Sequence, residues 1–198
     1  GIFAMAEDLY EAKQYAEAIK LYKKVRFRFQ LLPLFEANIR KWQDQIDRQK
    51  KIHMAVKKFE ENLASAKEAF DKFKDAPDIG VSAEFRIAEC YYKLKDYTTA
   101  VEKYKDIAVK RTAHENIKFA YTGLLNCYLD QDKLPEFRSE FQEFIRKVDK
   151  PEIRDQIKLG VIEVLFGKKL YKVVEDEYET EPRIKEEKST GDRAMYLY

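Results

Sequence analysis

Glycine, proline and cysteine are all scarce in this sequence, which has six, five and two of them among 198 residues. A fold made of many β-strands needs frequent turns rich in glycine and proline, so this composition excludes it. Long apolar runs are also missing, and no stretch approaches the 18 residues that a membrane-spanning helix requires. The sequence therefore predicts a helical protein without a membrane span.

The residues that usually carry catalysis or bind metals are also few. The chain has two histidines, His53 and His114, and neither follows a carboxylate by three or four residues. This spacing excludes helical di-iron sites and helical zinc-protease sites. The six scattered glycines form no phosphate-binding loop of the GxGxxG or GxxxxGK type. We therefore expect no enzyme activity, no cofactor, no metal site and no small-molecule substrate.

Charge of neither sign dominates. Lysine and arginine number 38 against 36 aspartates and glutamates, for a formal charge of +2, and the two signs alternate along the chain. This balance is typical of solvated helix faces and not of a polyanion-binding surface. Residues 20–29 (KLYKKVRFRF) combine basic and aromatic residues, but the spacing of Tyr22 and Val25 assigns them to helix packing. We therefore do not expect nucleic-acid binding.

What the sequence does contain is a repeat. Shifting it by 37 residues aligns the apolar positions of residues 87–104 with two later segments, and each copy has a short polar break between two apolar halves. Within each half the apolar residues fall three or four apart, which is the spacing of one helical face. Each copy therefore predicts a helix, a tight turn and a second helix. The aligned positions are Ile87, Leu124 and Val161; Tyr91, Tyr128 and Leu165; Ala100, Phe137 and Val174; and Tyr104, Phe141 and Tyr178.

The same pattern extends towards both ends of the chain. Residues 6–25 carry it, which predicts a first hairpin in residues 1–32, before three hairpins of 37-residue period in 82–179. The last segment, 180–198, predicts a connector and the first turns of a further helix. Because both ends fall within a repeat, we interpret the chain as a section of a longer repeat protein.

The segment 33–76 does not follow this repeat. No glycine or proline occurs between Pro33 and Pro77, and apolar residues recur every three or four positions except for one six-residue step from Ile46 to Ile52. The pattern favours one helix of about 40 residues, roughly 60 Å long. We expect it to lie along the neighbouring hairpins, and a projecting arm is the alternative placement. A degenerate hairpin that breaks near residues 62–65 is the alternative structure.

The turn and second helix of two copies, AKQYAEAIKLYKKV and LKDYTTAVEKYKDI, resemble the tetratricopeptide repeat (TPR) family. Ala18 and Ala100 match the family's small helix-packing residue, and Tyr22 and Tyr104 match the bulky residue four places on. The period exceeds the family's usual length of about 34 residues, and Phe137 stands where a small residue is expected. The resemblance implies an all-α fold of antiparallel hairpins stacked as an α-solenoid, with the long helix inserted and with a local separation or rotation of the helices at Phe137.

In this family the first helix of each hairpin lines a concave groove that holds a peptide or a helix of a partner. Carried over by position, the resemblance implies an aromatic, mildly acidic groove that suits an amphipathic partner segment. Phe85 and Glu89 replace the lysine and asparagine with which some members hold a C-terminal peptide, so that ligand is not expected. The partner-binding candidates are Glu7, Tyr10, Phe85, Glu89, Tyr92, Thr122, Asn126 and Leu129.

The resemblance and the lack of a catalytic pattern favour a non-enzymatic scaffold or adaptor that binds a protein partner. The alternative is a structural subunit that self-assembles into an extended bacterial envelope structure, such as a filament sheath or coat. The high content of lysine and aromatic residues and the open repeat ends would suit lateral packing of such subunits. The residues leave the compartment open between the cytoplasm and the bacterial periplasm.

Two pairs of residues recur one period apart in first helices. Cys90 and Cys127 are predicted to be separate buried thiols, because neighbouring helix axes lie about 8–10 Å apart and a disulfide needs Cα atoms within roughly 7 Å. Gly123 and Gly160 predict places where helices approach closely. Among the tyrosines, we expect Tyr91 and Tyr104 to be buried within their hairpin, and Tyr10 and Tyr92 to face outward.

Overall fold

The computed structural model describes residues 1–112, 114 and 116–180, with side chains up to residue 176. These ranges contain ten α-helices and no β-strand, which confirms the all-α class. The predicted connector and further helix in 180–198 lie outside the described residues, except for Thr180. In chain order the helices are α1 (Ile2–Glu11), α2 (Tyr15–Tyr22), α3 (Arg28–Lys51), α4 (Lys57–Asp75), α5 (Ile79–Lys93), α6 (Tyr97–Lys110), α7 (Lys118–Leu129), α8 (Leu134–Ile145), α9 (Pro151–Gly167) and α10 (Tyr171–Thr180).

The two helices of every hairpin are joined by the same short turn. In each turn one non-glycine residue adopts a left-handed backbone. The N–H of this residue donates to the carbonyl three positions earlier, and the next N–H donates to the carbonyl five positions earlier, which is the Schellman arrangement that ends a helix. The left-handed residues and their φ angles are Lys13 (60°), His53 (53°), Lys95 (61°), Asp132 (54°) and Lys169 (61°).

Residues 33–76 belong to a helical hairpin, so the prediction of one long helix is wrong. α3 ends at Lys51, the chain reverses at His53, and α4 begins at Lys57. The reversal at His53 lies directly after the six-residue step from Ile46 to Ile52, at which the spacing of apolar residues is interrupted. The alternative prediction placed the break near residues 62–65. Reversing at His53 lets the stripe of one helix pack on the stripe of the other.

Facing aromatic pairs hold α3 and α4 together. The rings of Phe35 and Phe73 stack with their centroids 4.6 Å apart, and Trp42 lies 6.4 Å from Phe59. A single residue of each helix is buried, Ile46 in α3 and Ala66 in α4. The hairpin therefore has a thin core, because two helices alone can cover one face of each other and nothing more.

Residues 28–75, which we call the arm, project from the solenoid. α3 and α4 make their extensive contacts with each other, whereas α2 packs directly on α5 across the insertion. The expected placement along the neighbouring hairpins is therefore wrong, and the projecting arm is what the chain forms. The base is fixed because Oδ1 of Asp78 accepts hydrogen bonds from the backbone N–H groups of Arg28 and Gly80, both at 3.0 Å.

The solenoid core follows the repeat. The helix-packing residues Ala18 and Ala100 are fully buried, and so are Tyr22 and Tyr104 in the matching bulky positions. Phe137, in the place of the small residue, is also buried, and α7 and α8 approach each other over a shorter stretch than α5 and α6 do. The last hairpin packs through α9 on α7. The shorter contact between α7 and α8 agrees with the local separation or rotation predicted from the larger side chain of Phe137.

Candidate functional site

A cavity of about 720 Å³ runs along the first helices of the first three solenoid hairpins. α1, α5 and α7 supply most of its lining, and α6 and the segment before α7 supply the rest. We call this cavity the groove, and it lies where the family resemblance implies a partner-binding surface. Its lining residues are Phe3, Glu7, Ser82, Phe85, Arg86, Glu89, Tyr92, Lys93, Tyr104, His114, Asn116, Phe119, Thr122, Gly123 and Asn126.

The structure brings six of the eight candidate residues together in the groove and leaves two outside it. Tyr10 does not line the groove, and its ring meets that of Tyr15 edge-on with centroids 5.5 Å apart. Leu129 is half-buried and packs against the main core. The six that line the groove are Glu7, Phe85, Glu89, Tyr92, Thr122 and Asn126.

An ion-pair network forms one wall of the groove. Nε and Nη2 of Arg86 donate to the two carboxylate oxygens of Glu7, each at 3.0 Å, and Nη1 donates to Glu89 at 2.9 Å. The guanidinium carbon also lies 4.5 Å from the ring centroid of Tyr10. A bidentate pair of hydrogen bonds between arginine and a carboxylate fixes the relative orientation of the two groups as well as their distance. The network therefore holds α1 and α5 in register.

The same network keeps Arg86 charged and two tyrosines neutral. Burial lowers the pKa of Arg86, but its hydrogen bonds to Glu7 and Glu89 outweigh burial, and the pKa is raised overall. Burial raises the pKa of Tyr10 and of Tyr22, and hydrogen bonds to Glu89 and Glu7 raise these pKa values further. At neutral pH the hydroxyl of Tyr22 therefore donates to Glu7.

The charges of the groove balance each other. Glu7 and Glu89 are matched by Arg86 and Lys93, and all four line the cavity. The prediction of a mildly acidic groove is therefore wrong, because it omitted both cations. Since Arg86 is already paired with two carboxylates, the part of the groove that a ligand meets is chiefly aromatic and uncharged.

Aromatic side chains form much of this uncharged surface. Phe119 is 53% exposed, and half-buried Phe85 lies 5.9 Å from the ring of His114. Tyr92, expected to face outward, is half-buried, and its hydroxyl donates to Oδ2 of Asp130 at 2.8 Å. This bond ties α5 to the end of α7. The ring of Tyr92 is therefore held in place before any ligand binds, which lowers the entropy that binding would cost.

Close packing beneath the groove depends on Gly123. A Cβ atom there would lie 2.3 Å from the ring of Tyr104, which reaches the groove from α6. At Gly160 the nearest atom, Cγ2 of Thr122, would be 3.3 Å away, so the approach is less tight. The predicted close approach is confirmed at Gly123. Tyr104 is buried as predicted, whereas Tyr91 is only half-buried.

Several groove residues were missed from the sequence although they share a helix face with the candidates. On α5, Ser82, Arg86 and Lys93 lie three or four positions from predicted residues, and on α7, Phe119 precedes Thr122 by three. Residues at these separations are neighbours on a helix surface. Extending each predicted stripe by one turn would have found all four. The loop residues that line the groove carry no periodic signal.

The other chemistry of the described residues is sparse. Among them, no group of three or more His, Cys, Asp or Glu side chains could hold a metal ion. Cys90 and Cys127 are free and fully buried, and burial raises the pKa of each thiol to about 12. None of the helices in the described ranges is long and apolar enough to cross a membrane.

Residues 82–110 match the family model described as tetratricopeptide repeat. This stretch covers most of α5 and α6, so it includes Phe85, Arg86, Glu89 and Tyr92 of the groove. Comparison with curated proteins gave no match, and neither did comparison with solved structures. The family match, the all-helical architecture and the repeated hairpins together show that this chain is a TPR-like helical repeat protein.

Proposed function

We propose that this chain is a non-enzymatic scaffold or adaptor that binds a segment of a partner protein in the groove. The TPR family is generally non-enzymatic, and its repeats serve protein–protein interaction. The observation that carries the proposal is a cavity of about 720 Å³ along three first helices, in which exposed Phe119 and half-buried Phe85 and Tyr92 lie beside the ion-pair network of Arg86. Its volume falls within the roughly 300–1,000 Å³ of typical ligand clefts.

The groove selects the chemistry of its partner. Arg86 is engaged by two carboxylates, so it is not available to hold a C-terminal carboxylate of a ligand. Phe85 and Phe119 offer apolar area, while Thr122 and Asn126 offer a hydroxyl and an amide for a ligand backbone. This combination suits an amphipathic segment that places apolar side chains on the rings.

Phe119 provides the sharpest test. Its ring is 53% exposed and lines the groove, so Phe119→Ala should change the free energy of unfolding by no more than about 0.5 kcal/mol. The same change should weaken a groove ligand by about 1–2 kcal/mol, which is roughly 5- to 30-fold in Kd. Peptides selected from a random library on the immobilised chain supply the ligand, and fluorescence polarisation measures its Kd. Tyr92 is a poorer choice because its hydroxyl also bonds to Asp130.

Phe29→Ala is the matched control. Phe29 lies on the arm outside the groove and is 66% exposed. Phe29→Ala removes the same side-chain atoms as Phe119→Ala. The Kd of the selected peptides should be unchanged in this variant. Equal losses of affinity in the two variants, or no loss in either, would contradict groove binding. The alternative of a structural subunit in an extended envelope assembly stays a prediction from composition.

A further inference from the structure

A dense cluster of positive charge lies at the tip of the arm. The tip, residues 48–58 (RQKKIHMAVKK), contains five lysines and arginines and no aspartate or glutamate. The rest of the chain then has fewer basic than acidic residues, because the formal charge of the whole is only +2. Clusters of four to eight basic residues within a short segment are characteristic of contact with anionic surfaces.

The cations of the tip are available to a ligand. Lys50 lies 3.4 Å from Glu60 across the turn, but both side chains are exposed, so water screens this pair. The other four are exposed, and none of them forms an ion pair within the described part of the chain. These four are Arg48, Lys51, Lys57 and Lys58.

Two aliphatic side chains stand among these cations. Ile52 is 64% exposed and Met54 is 59% exposed, and neither belongs to a hydrophobic core cluster. The turn holds them on either side of His53, because the N–H of Met54 donates to the carbonyl of Gln49 at 2.9 Å. This arrangement suits a membrane surface, because the cations can contact the charged headgroups while Ile52 and Met54 can reach the acyl chains beneath them.

The arm carries this tip away from the rest of the molecule. α3 has 24 residues, so it spans roughly 36 Å at about 1.5 Å per residue. Since α3 and α4 contact chiefly each other, the tip stands clear of the solenoid and of the groove. A flat surface can therefore meet the tip without meeting the groove.

We propose that the tip binds the surface of a membrane rich in anionic phospholipids. The basic side chains contact headgroup phosphates, and Ile52 and Met54 enter the boundary between headgroups and acyl chains. Nucleic acid fits less well, because residues 48–58 contain no phenylalanine, tyrosine or tryptophan on which bases stack. This binding is peripheral, and it is independent of what the groove binds.

Vesicle sedimentation with the full 198-residue chain tests the proposal. The chain should bind vesicles of phosphatidylcholine mixed with phosphatidylglycerol and should not bind vesicles of phosphatidylcholine alone. Binding should weaken as salt is raised, because the screening length falls from about 10 Å at 0.1 M to about 3 Å at 1 M. Changing all four unpaired cations of the tip to glutamine should lower the partition coefficient about 100-fold or more.

Two further variants separate the tip from general charge and from apolar contact. The matched control changes four exposed lysines outside the tip to glutamine, namely Lys20, Lys24, Lys67 and Lys74, and should retain most of the binding. A variant with Ile52→Ser and Met54→Ser keeps every charge, and its partition coefficient should fall about tenfold. Circular dichroism checks that all variants keep their helix content.

Three results would overturn the proposal. The first is equal binding of the wild-type chain to both kinds of vesicle, or binding to neither. The second is an equal loss of binding in the tip variant and in the control variant. The third is tight binding of a single-stranded oligonucleotide by a chain that leaves anionic vesicles untouched, which would assign the tip to nucleic acid. Peptide affinity in the groove is measured separately and changes in none of these cases.

Discussion

Gly123 and Gly160 occupy equivalent positions in consecutive repeats, so one substitution made at both tests how closely the helices pack. A Cβ at Gly123 would lie 2.3, 2.5 and 2.8 Å from three ring atoms of Tyr104. Carbon atoms in contact prefer about 3.5–4.0 Å, so the ring or its helix would have to move by about 1 Å. At Gly160 the nearest atom would be 3.3 Å away, which needs an adjustment of a few tenths of an ångström.

Two opposing terms set the expected magnitude. Both glycines lie inside helices, where replacement by alanine gains about 1 kcal/mol. Overpacking of a tight contact costs about 1–3 kcal/mol, and this cost applies at Gly123 because Tyr104 is only 5% exposed. We therefore expect Gly160→Ala to be neutral or stabilising and Gly123→Ala to be destabilised relative to it by about 2 kcal/mol. For a chain of this size that difference is roughly 4–8 °C in Tm.

Urea titration and thermal melting followed by circular dichroism measure both variants. Adding Tyr104→Leu to Gly123→Ala should restore part of the loss, which gives a coupling energy of about 1 kcal/mol or more between the two positions. Equal midpoints for the two alanine variants would refute the close contact between α6 and α7. Failure of Tyr104→Leu to restore stability would show that the cost at Gly123 arises elsewhere.

Tyr121→Phe removes a buried hydroxyl that has no hydrogen-bond partner among the described residues, so the free energy of unfolding should stay the same or rise by up to about 1 kcal/mol. Tyr128→Phe removes a 2.7 Å hydrogen bond to Glu140 and should lower the free energy of unfolding, measured by urea titration, by about 1–2 kcal/mol. A larger loss of stability in Tyr121→Phe than in Tyr128→Phe would contradict this reasoning. Because burial raises the pKa of Cys90 and Cys127 to about 12, from about 8.5 in an unfolded chain, their contribution to stability is complete below pH 8.5 and is lost as the pH rises towards 12. Denaturant titrations across this pH range should show that the free energy of unfolding falls less steeply with pH when both Cys90 and Cys127 are changed to alanine. At pH 8, iodoacetamide should label the two thiols of the unfolded chain and not those of the folded chain.

Periodic features of the fold could be predicted from the sequence. The 37-residue shift located the three hairpins from α5 to α10 and placed Ala100 and Tyr104 at their buried positions, because each repeat must bury the same face against its neighbour. The left-handed residues of the turns could not be predicted in this way. They are lysine, histidine and aspartate, whereas the usual signal for such a backbone is glycine.

Features that depend on contacts distant in sequence were missed. The turn at His53 lacks glycine and proline, so the stripe of α3 and α4 resembled one long helix. The pairing of Arg86 with Glu7 joins residues 79 positions apart, and it forms because α2 packs on α5 past the arm. A single sequence read by periodicity gives no information on which helix an insertion leaves adjacent to which. The predicted charge of the groove was wrong for a different reason, because the predicted stripe on α5 left out Arg86 and Lys93, which lie three and four positions from Glu89.

The fixed base of the arm has a mechanical consequence. Asp78 caps α5 and at the same time holds the first residue of the arm, so the arm joins the solenoid at the first turn of the helix that carries Phe85, Arg86 and Glu89. Two hydrogen bonds to one carboxylate oxygen leave little freedom for a hinge there. The arm, which is roughly 36 Å long, is therefore rigidly attached to the first turn of α5. A partner that holds the tip of the arm would therefore also set the orientation of α5 and of the groove residues that it carries.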